Sequence, residues 1–183
     1  MKLAKKLLVA ALALGFTVAL AACGETYTVT FDSAGGSAVK AAKVEEEKKA
    51  KAPTAPEKQG YVFDGWLLDG EAYDFTKPIT GDLTLVAKWK AAKDTPYTVL
   101  VYAEQTDGTY KEITSSFPQI VGLTGETDTE IEVDYLRVQG WGISSYATAN
   151  GYRVNLKHKD GVKSGTIAAD GSLVLKVYLD LNE

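Results

Sequence analysis

Apolar side chains fall at every second position along several stretches of this chain, which is the period of a strand with one buried face. Tyr27, Val29 and Phe31 alternate with Thr26, Thr28 and Thr30, and Gly35-Gly36 follows as a turn. Leu83, Leu85, Ala87 and Trp89 alternate with Thr84, Val86 and Lys88 after a turn at Gly81-Asp82. Between them, the compact aromatic run from Tyr61 to Trp66 suits a central strand. Further on, Tyr97 to Tyr102 predicts a strand, Asp107-Gly108 a turn, and Tyr110 to Phe117 its return. Ile131, Val133 and Tyr135 alternate with Glu130, Glu132 and Asp134, a strand with one acidic face. Gly165 to Ala169, a turn at Asp170-Gly171, and Leu173, Leu175, Val177 and Leu179 on one face predict a closing hairpin. Residues 97–183 contain no long amphipathic helical pattern.

Two segments stay open at this level. From Ala41 to Ala52 the Ala, Glu and Lys content favours a helix, with Glu45–Lys49 and Glu47–Lys51 able to pair across a turn. The alternation of Val39, Ala41 and Lys43 favours a strand instead. Pro53 and Pro56 close the segment, and Pro56 can open a short helix ending at Gly60. The expected class is α+β, β-dominated. The polar run Lys90 to Pro96 reads as a linker, and Tyr-Thr-Val opens at both Tyr27 and Tyr97. Two small domains follow from this, 27–90 and 97–183, joined by a linker at 91–96.

The first residues carry a different pattern. Lys2, Lys5 and Lys6 precede an apolar run of 14 residues, Leu7 to Leu20, broken only by Gly15 and Thr17. Crossing a bilayer as a helix takes about 20 residues, so the run suits a cleaved secretory signal at 1–22 better than a permanent span. Leu20-Ala21-Ala22-Cys23 resembles the bacterial lipobox. The resemblance implies cleavage between Ala22 and Cys23 and a diacylglycerol on the Cys23 thiol, with 23–26 as a short tether. Two acyl chains anchor stably where one does not. The protein is therefore expected to be exported and lipid-anchored on the extracytoplasmic face of the cell membrane. Cys23 is the sole cysteine, so no intramolecular disulfide forms.

Charge and candidate chemistry narrow the function classes. Losing the three leader lysines leaves 17 basic against 24 acidic residues, a net charge of −7. That disfavours phosphodiester binding, so no nucleic-acid partner is expected. His158, the single histidine, lies beside Lys157 and Lys159 without a candidate nucleophile, and reads as a surface-loop residue rather than a catalytic base. With Cys23 lipidated no His/Cys zinc site can be built, and the sequence has no GxxxxGK[ST] phosphate loop. Asp128, Glu130, Glu132 and Asp134 form a ladder along a strand rather than a calcium loop. No catalytic residue, metal site or cofactor is expected. Trp66 and Trp89 read as core of a very small domain in preference to an exposed ligand platform.

Two family resemblances rest on quoted motifs. Tyr27-Thr-Val-Thr-Phe-Asp-Ser-Ala-Gly-Gly-Ser, Gly60-Tyr-Val-Phe-Asp-Gly-Trp66, Tyr73-Asp-Phe75 and Ile79-Thr-Gly-Asp-Leu-Thr-Leu-Val-Ala-Lys-Trp89 resemble the internalin B-type, or Listeria–Bacteroides, repeat of bacterial surface proteins. That family implies a β-grasp-like sheet with a strand at Val39 to Val44 and a short helix near Pro56 to Gly60. Glu45 to Lys49 departs from the usual Gly-Gly turn. The run Ser164 to Tyr178, with Tyr97-Thr-Val, Asp107-Gly-Thr-Tyr110 and Gly122-Leu-Thr-Gly125, is similar to mucin-binding-protein-like repeats, also β-grasp-like. Val138 to Tyr152, including Trp141, departs from that pattern. The resemblances imply two β-grasp-like (ubiquitin-like) domains in tandem after the signal peptide.

The expected function is that of a non-catalytic, membrane-anchored surface lipoprotein that contacts an envelope or host protein or glycan, through exposed sheet edges or the Val138 to Tyr152 segment. An envelope spacer or self-associating module is the alternative, and a small hydrolase around His158 ranks last. The first strand begins about three residues beyond Cys23, and a residue spans at most roughly 3.5 Å. Contacts near the membrane are therefore favoured over a distant host cell.

Overall fold

A computed structural model describes residues 24–182. The expected leader at 1–22 and Cys23, the expected lipidation residue, lie outside the described residues. Strand takes up 42% of the described residues and helix 12%, so the class is α+β, dominated by β-structure.

The first half builds a five-stranded sheet from β1 (Thr26–Asp32), β2 (Ala42–Glu45), β3 (Tyr61–Leu68), β4 (Glu71–Ala72) and β5 (Leu83–Ala91), in the order β2-β1-β5-β3-β4. β1 and β5 run parallel, with Val29 opposite Leu83 and Asp32 opposite Val86; the other pairs are antiparallel. The alternation seen in the sequence places Val29, Phe31, Leu85 and Ala87 in one core with Val44, Ala50, Trp66 and Ile79. Gly65, at φ +114°, lies in the irregularity between Phe63 and Trp66 that lets both rings reach that core. Trp66 packs edge-on against Phe31 and Phe63, at 4.9 and 5.4 Å between ring centres. Half-buried Trp89 donates its indole N–H to the Ser33 carbonyl at 2.9 Å.

Both open segments of this half settle as extended chain. Residues 42–45 form β2, and the backbone turns at Glu47, φ +61°. Glu47 N–H then donates to the Ile79 carbonyl at 2.9 Å, and Ile79 N–H to the Lys48 carbonyl at 2.7 Å. A helix over Ala41 to Ala52 would sacrifice these bonds and expose Val44 and Ala50; a lone helix of that length is marginal in water. The short helix expected near Pro56 to Gly60 does not form. Ser37 N–H donates to the Glu57 carbonyl at 2.8 Å while Glu57 N–H donates to Ser37 Oγ at 2.9 Å, which holds the strip extended.

The second half contains β6 (Thr95–Pro96), β7 (Thr98–Glu104), β8 (Tyr110–Glu112), β9 (Thr124–Gly125), β10 (Glu130–Glu132), β11 (Tyr152–Asn155), β12 (Ser164–Thr166) and β13 (Val174–Leu181). Its main sheet has the order β11-β13-β7-β8, with β7 and β13 parallel from Thr98 opposite Val174 to Ala103 opposite Leu179. Two short helices, α1 (Tyr135–Gly140) and α2 (Ile143–Ala149), turn Val138, Ile143 and Ala147 onto the core formed by Val99, Val101, Leu175, Val177 and Leu179.

Three expectations need correction here. The closing hairpin is not a pair: β12 joins β10, with Ile131 opposite Gly165, while β13 inserts between β11 and β7. The Asp170-Gly171 turn does form, with Gly171 N–H donating to the Ala168 carbonyl, but it sends the two strands into different sheets. The return expected over Tyr110 to Phe117 shortens to the three residues of β8 before two 3-10 turns. Tyr135 leaves the strand it was expected to share with Ile131 and Val133 and opens α1 instead.

The two halves meet through a buried seam. The polar stretch expected to act as a linker is partly paired, since β6 pairs with β9 and the Thr95 side chain is buried. Thr127 Oγ1 donates to the Gly60 carbonyl at 2.7 Å and lies 2.6 Å from Thr95 Oγ1. Ala92 N–H also donates to the Gly60 carbonyl, and Thr127 N–H to the Ala92 carbonyl, each at 2.9 Å. At the rim, Tyr61 Oη donates to Asp128 at 2.6 Å. Gly60 adopts φ +74°, and a Cβ there would come within 2.6 Å of the Ala169 backbone, so this crossing needs glycine.

Candidate binding surface

The surface around α1 exposes two large apolar side chains in succession. Asp134 stands at the N-cap of this helix and accepts a bond from Arg137 N–H at 2.8 Å, which fixes where the strand ends and the helix starts. The next two side chains are thereby turned outward: Tyr135 is 67% exposed and Leu136 75% exposed. Tyr135 borders three hollows. One, of about 460 Å³, lies between Glu132–Asp134 and Val154–Lys157, with Lys163 at its edge. A second, of about 560 Å³, is walled by Gln139, Ser144, Ser145 and Thr148. The third, of about 430 Å³, follows β11 past Tyr152, Arg153 and Val154. An exposed aromatic face, bordered by carboxylates, amines and hydroxyls, offers stacking and hydrogen bonding together, the combination that amphipathic surfaces use for partners.

The segment Val138 to Tyr152, expected to be a contact loop, is mostly helical and forms one side of the second and third hollows. Sequence reasoning missed Tyr135 and Leu136, because alternation with Ile131 and Val133 extended the strand through Tyr135. The available signal was Asp134 itself, an N-cap residue directly before the helix.

His158 is less exposed than a loop position suggests. Its ring stacks on Tyr178 at 3.9 Å between centres, and Tyr110 meets both rings edge-on. Tyr102 stacks against Tyr178 from β7 at 5.1 Å. Asp160 N–H donates to His158 Nδ1 at 3.2 Å, so that nitrogen is held as an acceptor. Beside the stack, Asp180 accepts from Tyr110 Oη at 2.7 Å and from Asn155 Nδ2 at 2.8 Å, with Arg153 Nε 3.6 Å away. Burial, and then the bond to Asp180, push the Tyr110 phenol well above its ordinary value. The arrangement covers the outer face of the sheet with packed aromatic rings.

The acidic ladder is exposed at Asp128, Glu130, Glu132 and Asp134, and three of the four have separate roles. Asp128 accepts from Tyr61, Asp134 caps α1, and Glu132 lies 3.6 Å from Lys163. Among the described residues no three His, Cys, Asp or Glu side chains converge into a metal-holding group. No helix among them is long and apolar enough to cross a membrane. Trp66 is buried in the first core, and Trp89 packs at its edge.

Comparison with known proteins bears on the first half. A protein of Evansella cellulosilytica named as a Gly-rich membrane protein is 46% identical over 68 residues, covering 35% of this chain and 8% of that protein. A second membrane protein of the same organism is 44% identical over 68 residues, covering 35% of this chain and 10% of its own length. The chain thus spans a tenth or less of the curated relatives it matches. The family model of the Listeria-Bacteroides repeat domain matches residues 27–88. That match spans the first sheet, from β1 into β5.

Proposed function

We propose that this chain is an exported surface lipoprotein, cleaved after Ala22 and lipidated on Cys23, that binds an envelope or host protein or glycan close to the membrane without catalysing a reaction. Each half is a β-grasp-like domain, the second of the mucin-binding-protein-like kind. The observation that carries the binding reading is exposed Tyr135, which borders three hollows, with Leu136 exposed beside it. The membrane-protein names of the relatives support an envelope location. With β1 starting at Thr26, a lipid on Cys23 holds the first half within about 10 Å of the headgroups. The reading involves no cofactor and no nucleic acid.

Two experiments test it. Cells supplied with labelled palmitate should incorporate it into the wild-type protein, and Cys23→Ser should abolish the label and release the protein from the membrane fraction. Retention of label in Cys23→Ser sinks the anchor. For binding, the purified protein is screened against cell-wall material, glycan arrays and host surface proteins. Any specific ligand should bind at least about tenfold more weakly to a Tyr135→Ala/Leu136→Ala double variant, the loss of about 1.4 kcal/mol. Empty screens together with concentration-dependent self-association would favour the spacer reading. A hydrolytic activity lost in His158→Ala would replace both.

A further inference from the structure

The same strand arrangement recurs in both halves and has a mechanical meaning that is independent of any ligand. In each half the first and last strands of the main sheet lie side by side in its middle and run parallel. The chain enters the first half at the start of β1 and leaves it at the end of β5; it enters the second at the start of β7 and leaves at the end of β13. Drawing those two ends apart slides one strand along the other instead of opening the pair. The evenly spaced bonds of a parallel ladder are then loaded together and must fail together, whereas a peeled pair loses them one at a time.

Three further features fit this loading. Thr26 to Thr28 lie ahead of the overlap with β5, and Ala87 to Ala91 lie beyond it, so the pull acts along both strand axes. Each clamp is flanked on both sides, by β2 and β3 in one half and β8 and β11 in the other, and its inward side chains Val29, Leu85, Val99, Val101, Leu175, Val177 and Leu179 are at most 1% exposed. Sliding therefore also breaks core packing. Between the clamps the connection is bonded across the seam at Ala92, Gly60 and Thr127 and paired through β6 and β9.

Resting on the lipid-anchor reading above, we propose that the chain is a load-bearing element, two shear clamps in series that carry tension between its membrane-side end and the end of β13. Six paired positions join β7 to β13 and four join β1 to β5, so the first half yields first.

Single-molecule pulling of the full chain, expressed without export so that Cys23 remains a thiol handle, tests this. Handles at Cys23 and Asn182→Cys load both clamps in shear. Handles at Cys23 and Gly81→Cys draw apart the two N-terminal ends of β1 and β5, which peels the same pair. A Cβ at Gly81 meets nothing within 4 Å, so this handle fits the fold. A thermal midpoint equal to wild type in both variants verifies that each is folded. The expected result is a several-fold higher opening force for the first half in shear than in peeling, followed by a later, stronger event from the second half. Equal forces in the two geometries, or a second half that opens first, overturns the proposal.

Discussion

At the scale of single residues, Tyr110 shows how one side chain ties the second half together. Its hydroxyl supplies the Asp180 carboxylate with a donor at 2.7 Å, and its ring closes the stack of His158 and Tyr178. Asp180 is almost fully buried, so a lost donor leaves part of a carboxylate unsatisfied; Asn155 and Arg153 remain as partners. Tyr110→Phe is accordingly expected to cost about 1 kcal/mol at neutral pH. The pH dependence has a definite sign. Burial and the Asp180 bond raise the folded-state value of the phenol, so its stabilisation is complete below the ordinary tyrosine value of about 10 and is lost as pH rises beyond it. Tyr27, pushed up to about 12 chiefly by its bond to Glu25, and Tyr61, raised by its bond to Asp128, act in the same direction. Urea midpoints measured from neutral to strongly alkaline pH should therefore fall in the wild type, and fall less steeply in Tyr110→Phe. Parallel curves for the two proteins would show that Tyr110 does not couple to folding in this way.

At the scale of elements, what was legible depended on whether a segment's partners lie nearby in sequence. β1, β5 and β13 follow from local alternation, because Val29, Phe31, Leu85, Leu175 and Leu179 are the residues that the core takes. The turn at Asp170-Gly171 was equally legible, yet a turn specifies a reversal of the chain and not which strands will pair. Gly165 passes so close to Leu173 that a Cβ would lie 2.5 Å from that side chain, and β12 is given to β10. The helix propensity of Ala41 to Ala52 lost to bonds with Ile79, and the Pro56 to Gly60 helix to bonds with Ser37, partners that no local window contains. The candidate surface was half legible for the same reason. Val138 to Tyr152 stood out as a departure from its neighbours, while the outward turn of Tyr135 depends on a cap that competes with strand alternation.

At the scale of the whole molecule, the seam decides whether the two halves behave as one body. Thr127 is its centre: 2% exposed, it gives its hydroxyl proton to the Gly60 carbonyl of the first half and meets the buried Thr95 hydroxyl. Gly60 also accepts from Ala92, so one carbonyl gathers the last strand of the first half and a turn of the second. Replacing Thr127 by Val keeps the shape but strands the Thr95 hydroxyl in a dry site, at a cost of about 1–3 kcal/mol. Tyr61→Phe removes an exposed bond to Asp128 and should cost far less than Thr127→Val. If the seam couples the halves, the wild type unfolds in a single calorimetric transition whose enthalpy equals the van't Hoff value. Thr127→Val should then lower the midpoint and separate the transition in two, with Trp66 and Trp89 reporting the first half and Trp141 the second. Tyr61→Phe should shift the midpoint slightly and leave one transition. Two transitions in the wild type, or a Thr127→Val melt that overlays it, would show that the halves fold independently and that load crosses between them through the connecting strand alone.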